Sequence, residues 1–335
     1  STIFRVVLIM NPFSHTSVFL VALALFAGFC TRAQSGQWLQ VEDFGSNPGK
    51  AEMFLYTPPG DSLVEMPLVV AIHGCNQSAE ALASQSGWLK LADEQGFMIL
   101  FPQQRLVNNM SRCWNWFQED DMMNERGELG SIRQMVDYAT GHYPVDTAHI
   151  HVYGVSSGGA MANALLAHYP ELFASGCIYA GGPFGLVDKP MKAMKQMTSP
   201  RKVAPSHLAN AITSLHNSPP SHWPDITVIH GKIDPVVHPD NGIMVCEQWV
   251  AVMELDRKHP HEATIDGRAD LHLTQWNDRD GRVHVQLLEI DKMMHCLAVD
   301  PGTGECQGGE ISIFSYDFDF HSTWWVAQQM NLIRK

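Results

Sequence analysis

Three features of the sequence predict an α/β protein with a mostly parallel sheet and helices on both faces. Short apolar runs recur, among them residues 67–73 (PLVVAIH) and 225–230 (DITVIH), as expected of strands covered on both sides. Helix-like segments separate these runs, which calls for right-handed crossovers between parallel strands. The chain has 335 residues, 45% of them hydrophobic, which is ample for one large core.

Residues 38–43 and 51–57 read as two opening strands, antiparallel to each other. The buried strand at 67–73 follows, then a helix at 79–94 closed by Gly96 and a strand at 97–101. A helix at 128–142 leads into a short buried strand at 149–153 (HIHVY), and a helix at 158–168 comes after it. Strands at 176–180 and 225–230, a helix at 240–255, a strand at 284–290 that completes the sheet and a closing helix at 321–331 finish the pattern. Residues 186–224, rich in Pro, Ser, His and Met, break the rhythm and read as an insertion or lid. No Pro/Ser-rich linker divides the rest, so 37–335 is expected to form one domain.

Residues 1–33 read as a secretory signal peptide. Arg5 lies in a short basic lead, the apolar run at 18–30 is too short to span a bilayer comfortably, and Thr31 and Ala33 suit the small positions before a cleavage point. A buried N-terminal helix or an uncleaved anchor is the alternative. Export would remove Cys30 and leave Cys75, Cys113, Cys177, Cys246, Cys296 and Cys306, an even set that suggests up to three disulfides. The net charge of −13 argues against nucleic acid or an anionic membrane as partner.

The sharpest motif is Gly154-x-Ser156-x-Gly158, set between an expected buried strand and an expected helix. That context is a nucleophile elbow: glycines let strand and helix approach, and the helix N-terminus offers N–H groups to a developing oxyanion. The expected fold is therefore an α/β-hydrolase, with Ser156 as nucleophile. Ser157 lacks the flanking spacing and is assigned a backbone N–H in the oxyanion hole. A serine needs a base oriented by an acid, in chain order Ser, Asp or Glu, His. Asp234 sits on the loop after the 225–230 strand, whereas Asp225 starts that strand and Asp240 caps the next helix. His295 follows the last strand; His284 lies at its wrong end, His321 opens the final helix, and His238 is the serious competitor. The loop after 67–73 (His73-Gly74-Cys75-Asn76-Gln77) should supply the second oxyanion donor, the Cys75 N–H. Trp114, Trp116 and Phe117 could line a cleft or pack in the core, readings that weigh about evenly. His259, His261 and Glu262 form a polar, loop-like cluster that is a weak metal candidate, and neither metal nor cofactor is expected.

These motifs together resemble the secreted poly(3-hydroxybutyrate) depolymerases and their esterase relatives. The resemblance rests on GVSSGGAMANALLAHYPELFA around Ser156, the HGCNQSAE turn, RCWNWF, HGKIDPVVHP, MMHCLAVDPGTGE and STWWVAQQMNL. It spans most of the chain from Pro67 onward, and the same broad group includes feruloyl and acetylxylan esterases. The resemblance implies a Ser156–His295–Asp234 triad, oxyanion donors at Cys75 and Ser157, and a Cys75–Cys113 disulfide. Cys296 stands where these relatives usually carry a small residue; it could join Cys306, leaving Cys177 and Cys246 as a third pair. The sequence gives no sign of an appended polymer-binding domain, and on that reading amorphous polyester or oligoesters are the expected substrates rather than crystalline polymer. The expected activity is hydrolysis of polyhydroxyalkanoate esters through an acyl-enzyme. A feruloyl or acetylxylan esterase is the alternative, and a catalytically dead binding protein on the same fold is the rival from another class.

Overall fold

The computed structural model describes residues 36–60, 63–122 and 125–334, so the expected signal peptide at 1–33 lies outside the described residues. Ten strands form one sheet, in the order β1 (Gln37–Val41), β2 (Glu52–Thr57), β4 (Met98–Gln103), β3 (Met66–Ile72), β5 (Val145–Val155), β6 (Ser175–Tyr179), β7 (Asp225–Gly231), β10 (Val283–Ile290), β9 (Arg268–Asn277) and β8 (His261–Ile265). The six strands from β4 to β10 are mutually parallel, while β1–β2–β4 at one edge and β10–β9–β8 at the other are antiparallel.

Strand alternation divides the core between the two faces of this sheet. In β3, Leu68, Val70 and Ile72 join one cluster and Val69 and Ala71 the other. The first face is covered by α3 (Gly127–His142), α4 (Ser157–His168) and α7 (Asp240–Val252), through residues such as Ile132, Leu165 and Trp249. The second is covered by α1 (Ala79–Ser86), α2 (Trp88–Gln95) and α8 (Ser322–Gln329), through Leu82, Trp88 and Val326. A small parallel pair, β11 (Leu297–Val299) with β12 (Ser315–Asp317), packs beside α1 and α8.

Several boundaries differ from the sequence reading for local reasons. The helix expected at 79–94 is two helices, because Gly87 adopts a left-handed φ of 79° between α1 and α2. Residues 284–290 do not complete the sheet. The β8–β9 hairpin continues it, turning at Asp266 and Gly267 with φ of 50° and 70°, the Asp-Gly signature of a tight hairpin. Within residues 186–224 the chain forms α5 (Pro190–Thr198) and α6 (Pro205–Thr213), each with proline in its first turn. Gln248 of α7 donates to Leu208 O, and Gln196 of α5 donates to Asn241 Oδ1, so both helices are fastened to α7.

The cysteine pairings beyond the first are overturned. Cys177 and Cys246 are free, buried thiols on opposite faces of the sheet. Cys296 is buried and Cys306 exposed, and neither is paired. The 300–308 turn is closed by mutual hydrogen bonds between Asp300 and Gly308.

Gly158 and Gly154 leave no room for a side chain at the elbow. A Cβ there would lie 2.3 Å from Ile72 O and 2.4 Å from His73 O, and one on Gly154 would lie 2.0 Å from Gly158 O. Backbone cannot yield as a side chain does, so Gly158→Ala should destabilise the fold by at least about 3 kcal/mol. Urea unfolding of that variant, with an unchanged midpoint, would refute this reading of the elbow.

Candidate active site

β5 delivers Ser156 at its C-terminal end, where the chain must reverse into α4. The turn forces Ser156 to φ 57° and ψ −118°, a strained conformation for a side-chain-bearing residue. Its backbone is clamped on both sides: Ser156 N–H donates to Tyr179 O at 2.8 Å, and its carbonyl accepts from Ala160 N–H at 3.0 Å. The hydroxyl stands clear of both and remains half-buried.

The structure brings Ser156, His295 and Asp234 into one hydrogen-bonded line, although they lie far apart in the chain. Ser156 Oγ is 2.9 Å from His295 Nε2, and His295 Nδ1 is 2.6 Å from Asp234 Oδ2. With Asp234 accepting, the imidazole carries its proton on Nδ1 and turns a lone pair toward the serine hydroxyl. The Asp234 side chain is wholly buried and its other oxygen accepts the N–H groups of Val236 and Val237 at 2.8 and 2.9 Å. Burial alone would raise this carboxyl. Hydrogen bonds from His230 and His295, the charge of His295 and the Val237 N–H overcome it and hold the group well below the usual carboxylate range. The acid and base loops are also tied together, since Lys232 N–H donates to Ile290 O and Ile233 N–H to Met293 O.

His238 does not reach the serine. Its ring accepts the Asp240 N–H at 3.2 Å, on an exposed surface. His284 lies at the other end of the sheet, between Asp225 and Asp278. His321 is buried and its Nε2–H donates to Ser86 O. His259 pairs with Asp256, and His261 and Glu262 are successive residues of the edge strand β8.

The loop after β3 lies directly against the elbow. Gly74 is so close that a Cβ would meet Ser156 Cβ at 3.2 Å. Cys75 bonds to Cys113, as the resemblance implied, and its sulfur is 3.4 Å from Ser157 Oγ. A disulfide sulfur carries no hydrogen, so the Ser157 hydroxyl is the donor there. Ser157 opens α4, where backbone N–H groups have no acceptor within the helix.

Of the two readings of Trp114, core packing holds and cleft lining does not. It is fully buried in the core, its indole N–H donates to His73 O at 3.0 Å, and its backbone N–H reaches Ser157 Oγ at 3.3 Å. Trp116 is half-buried and does line a cavity of about 390 Å³, with Phe117, Met122, Phe184, Val187 and Leu215 among its apolar neighbours. A larger cavity of about 960 Å³, bordered by Trp223, Arg282 and His284, belongs to the end of the sheet remote from Ser156.

A buried polar network behind these loops escaped the sequence reading. Glu128, in the first turn of α3, accepts Asn115 N–H at 2.7 Å and Asn115 Nδ2 at 2.6 Å, and also Gln104 Nε2. It thereby anchors the segment that carries Cys113 and Trp114. Its only mark in the sequence is an acidic residue at a helix start, which is common on exposed helices.

Two consequences can be measured. Burial first, and then the charge of Asp121, push the Glu128 carboxyl up to about 8 from an ordinary 4.5, against the donors from Asn115 and Gln104. A proton held by the folded but not the unfolded chain stabilises fully below about pH 4.5 and is lost as pH rises through 8, at up to about 1.4 kcal/mol per pH unit. Urea unfolding across that window should show this slope in the wild type and a flatter one in Glu128→Gln. Opening the Cys75–Cys113 disulfide, which closes a separation of 38 residues, should cost about 4 kcal/mol. Thermal unfolding of a Cys75→Ser/Cys113→Ser double variant checks this, and no loss of stability would contradict it.

Comparison with known proteins identifies the family. A sequence profile of the esterase PHB depolymerase family matches residues 52–257. Poly(3-hydroxyalkanoate) depolymerase C of Paucimonas lemoignei is 33% identical over 297 residues, covering 88% of this chain and 70% of that protein. Acetylxylan esterase A of Emericella nidulans is 30% identical over 262 residues, 74% of this chain and 84% of that protein. Among solved structures, an acetyl xylan esterase from Aspergillus awamori superposes with a TM-score of 0.71 at 26% identity, over 78% of this chain and 94% of that one. The chain belongs to the esterase PHB depolymerase family and is a serine carboxylic ester hydrolase of the α/β-hydrolase fold.

Proposed function

We propose that this esterase is exported and hydrolyses polyhydroxyalkanoate ester bonds through an acyl-enzyme, using Ser156, His295 and Asp234. The observation that carries the chemistry is the continuous hydrogen-bonded line from Ser156 Oγ through the His295 ring to Asp234. His295 Nε2 takes the hydroxyl proton as Ser156 Oγ attacks the ester carbonyl. Asp234 holds the ring in its Nδ1–H form and balances the imidazolium that results. The N–H groups of Cys75 and Ser157 receive the tetrahedral oxyanion, and the leaving alcohol takes the proton from His295. Water then repeats the sequence on the acyl-enzyme and releases the acid.

The substrate reading rests on the apolar cavity at Trp116, Phe117 and Phe184. It is bordered by Trp116, two residues past Trp114, and by His168 at the end of α4 away from Ser156. Its apolar lining suits an aliphatic polyester segment held away from the reacting ester better than one acetyl group or one phenolic ring. The match to a poly(3-hydroxyalkanoate) depolymerase supports the same choice. The matches to acetylxylan esterases keep plant-wall ester hydrolysis as the second reading. Export is supported by the Cys75–Cys113 disulfide together with the signal-like residues 1–33, after which 37–335 would act as one catalytic domain.

Hydrolysis of a short nitrophenyl ester should fall by about 10⁶ in Ser156→Ala and by about 10⁴ in Asp234→Asn. The substrate choice is decided by assaying amorphous poly(3-hydroxybutyrate), acetylated xylan and a feruloylated sugar side by side. Clearing of the polymer is expected to dominate. Trp116→Ala should slow it about tenfold, about 1.4 kcal/mol, while sparing the short ester. Efficient deacetylation of xylan or ferulate release with no polymer clearing would move the enzyme to the second reading.

A further inference from the structure

His73 follows β3 directly, with its ring fully buried and both of its nitrogens given fixed partners. The Gln104 backbone N–H points at Nε2 from 3.0 Å, and the Gln103 side-chain amide approaches the same atom at 3.3 Å. A backbone N–H can only donate, so Nε2 is an acceptor and carries no proton. The proton of the neutral ring is then on Nδ1, which lies 2.7 Å from the Gly74 carbonyl oxygen, an atom that can only accept. Both ends of the ring therefore agree on one tautomer. Burial lowers the ring to about 4, helped by the charge of Arg112 and opposed by the bond to Gly74, so it stays neutral through the working range of an esterase.

The consequence lies in the next peptide unit. The bond joining Gly74 to Cys75 is planar and trans, so the Gly74 C=O and the Cys75 N–H point in opposite directions. Drawing the carbonyl toward the His73 ring turns the Cys75 N–H away from it. The Gln77 N–H reaches the same carbonyl at 3.3 Å and adds a second restraint. The disulfide to Cys113 and the Asn76 N–H bond to Ser111 O fix where the loop lies, whereas the carbonyl bonds fix how this peptide is rotated.

We propose that His73 is a positioning residue for ester hydrolysis: its Nδ1–H holds the Gly74 carbonyl so that the Cys75 N–H faces the space beside Ser156 where the oxyanion forms. The inference rests on Cys75 being an oxyanion donor. His73 itself transfers no proton and touches no substrate. Losing one such donor in a hydrolase costs on the order of 10²–10³ in kcat, which bounds the effect of misaiming it.

Two substitutions separate the ring's two contacts. An asparagine amide nitrogen falls near the position of Nδ1 and keeps a donor to Gly74 O. A glutamine amide reaches the position of Nε2, where its oxygen accepts from Gln104 N–H, but it leaves Gly74 O without that donor. With rates counted per Ser156 titratable by a phosphonate, His73→Gln should lower kcat on a nitrophenyl ester by about 10² and weaken an alkyl boronic acid by a similar factor. KM should stay within about twofold, because the donor acts on the tetrahedral state and not on ester binding. His73→Asn should keep kcat within about tenfold of the wild type. Equal losses in the two variants, or a His73→Gln enzyme with wild-type kcat per titrated site, would overturn the proposal.

The wild-type protein supplies a test independent of how the variants fold. Long-range ¹H–¹⁵N correlation should find His73 protonated on Nδ1 and bare on Nε2. A ring protonated on Nε2 would overturn the inference at its first step. An Nδ1-protonated ring, with boronate affinity unchanged in His73→Gln, would instead remove Cys75 from the oxyanion site and the proposal with it.

Discussion

The contact on which the site depends is the seating of Gly158 against the carbonyls of Ile72 and His73. It brings the first turn of α4 onto the end of β3 with no side chain between them. Three things follow from that one approach. The chain must turn sharply enough to strain Ser156, the α4 N-terminus is aimed at the serine, and the loop leaving β3 is left no path except across the top of the elbow. A methyl group at Gly158 or Gly154 would separate nucleophile and oxyanion loop by more than a hydrogen bond tolerates.

Closeness alone does not orient the loop, and here buried polar groups take over from packing. Glu128 holds Asn115, Gln104 joins Glu128 to the Cys113 carbonyl, and the Gln104 N–H fixes the His73 ring, which in turn holds Gly74. Each member is satisfied by another member. A buried polar chain of this kind is costly when one link is removed and rigid when complete. It connects the first turn of α3 to the loop that leaves β3.

The fold and the reacting line were legible because their signals are local. Apolar runs such as PLVVAIH and DITVIH report strands covered on both faces, and Gly154-x-Ser156-x-Gly158 reports its own geometry. Asp234 and His295 followed from position, each just past the C-terminal end of a parallel strand, and β7 and β10 are neighbours in the sheet. Elements whose identity depends on partners elsewhere in the chain were not legible. Trp114 is a core residue because the Cys75–Cys113 bond carries it inward, and nothing in CWNWF distinguishes it from the cavity-lining Trp116. Cys177 and Cys246 make an even count with the others but face opposite sides of the sheet, which composition does not register. The short helices α5 and α6 were hidden by their polar, proline-rich flanks. The β8–β9 hairpin did leave a readable sign, Asp266-Gly267, between two alternating runs.

The same division bears on how one catalytic frame serves relatives that act on different esters. Ser156, His295 and Asp234 leave the ends of three parallel strands, each fixed by neighbours on both sides. Apart from His168 of α4, the residues around the apolar cavity come from two excursions between strands: the stretch after β4 that carries Trp116 and Phe117, and the stretch after β6 that carries Phe184 and Val187. The first excursion is bound covalently to the oxyanion loop through Cys113, so changes there risk moving the Cys75 peptide. The second is attached to α7 by side-chain amides of Gln196, Asn241 and Gln248, contacts that can be exchanged without touching the reacting groups. Substrate preference is therefore freest to vary along 183–224, and the chemistry is tied most tightly to the 104–116 strap.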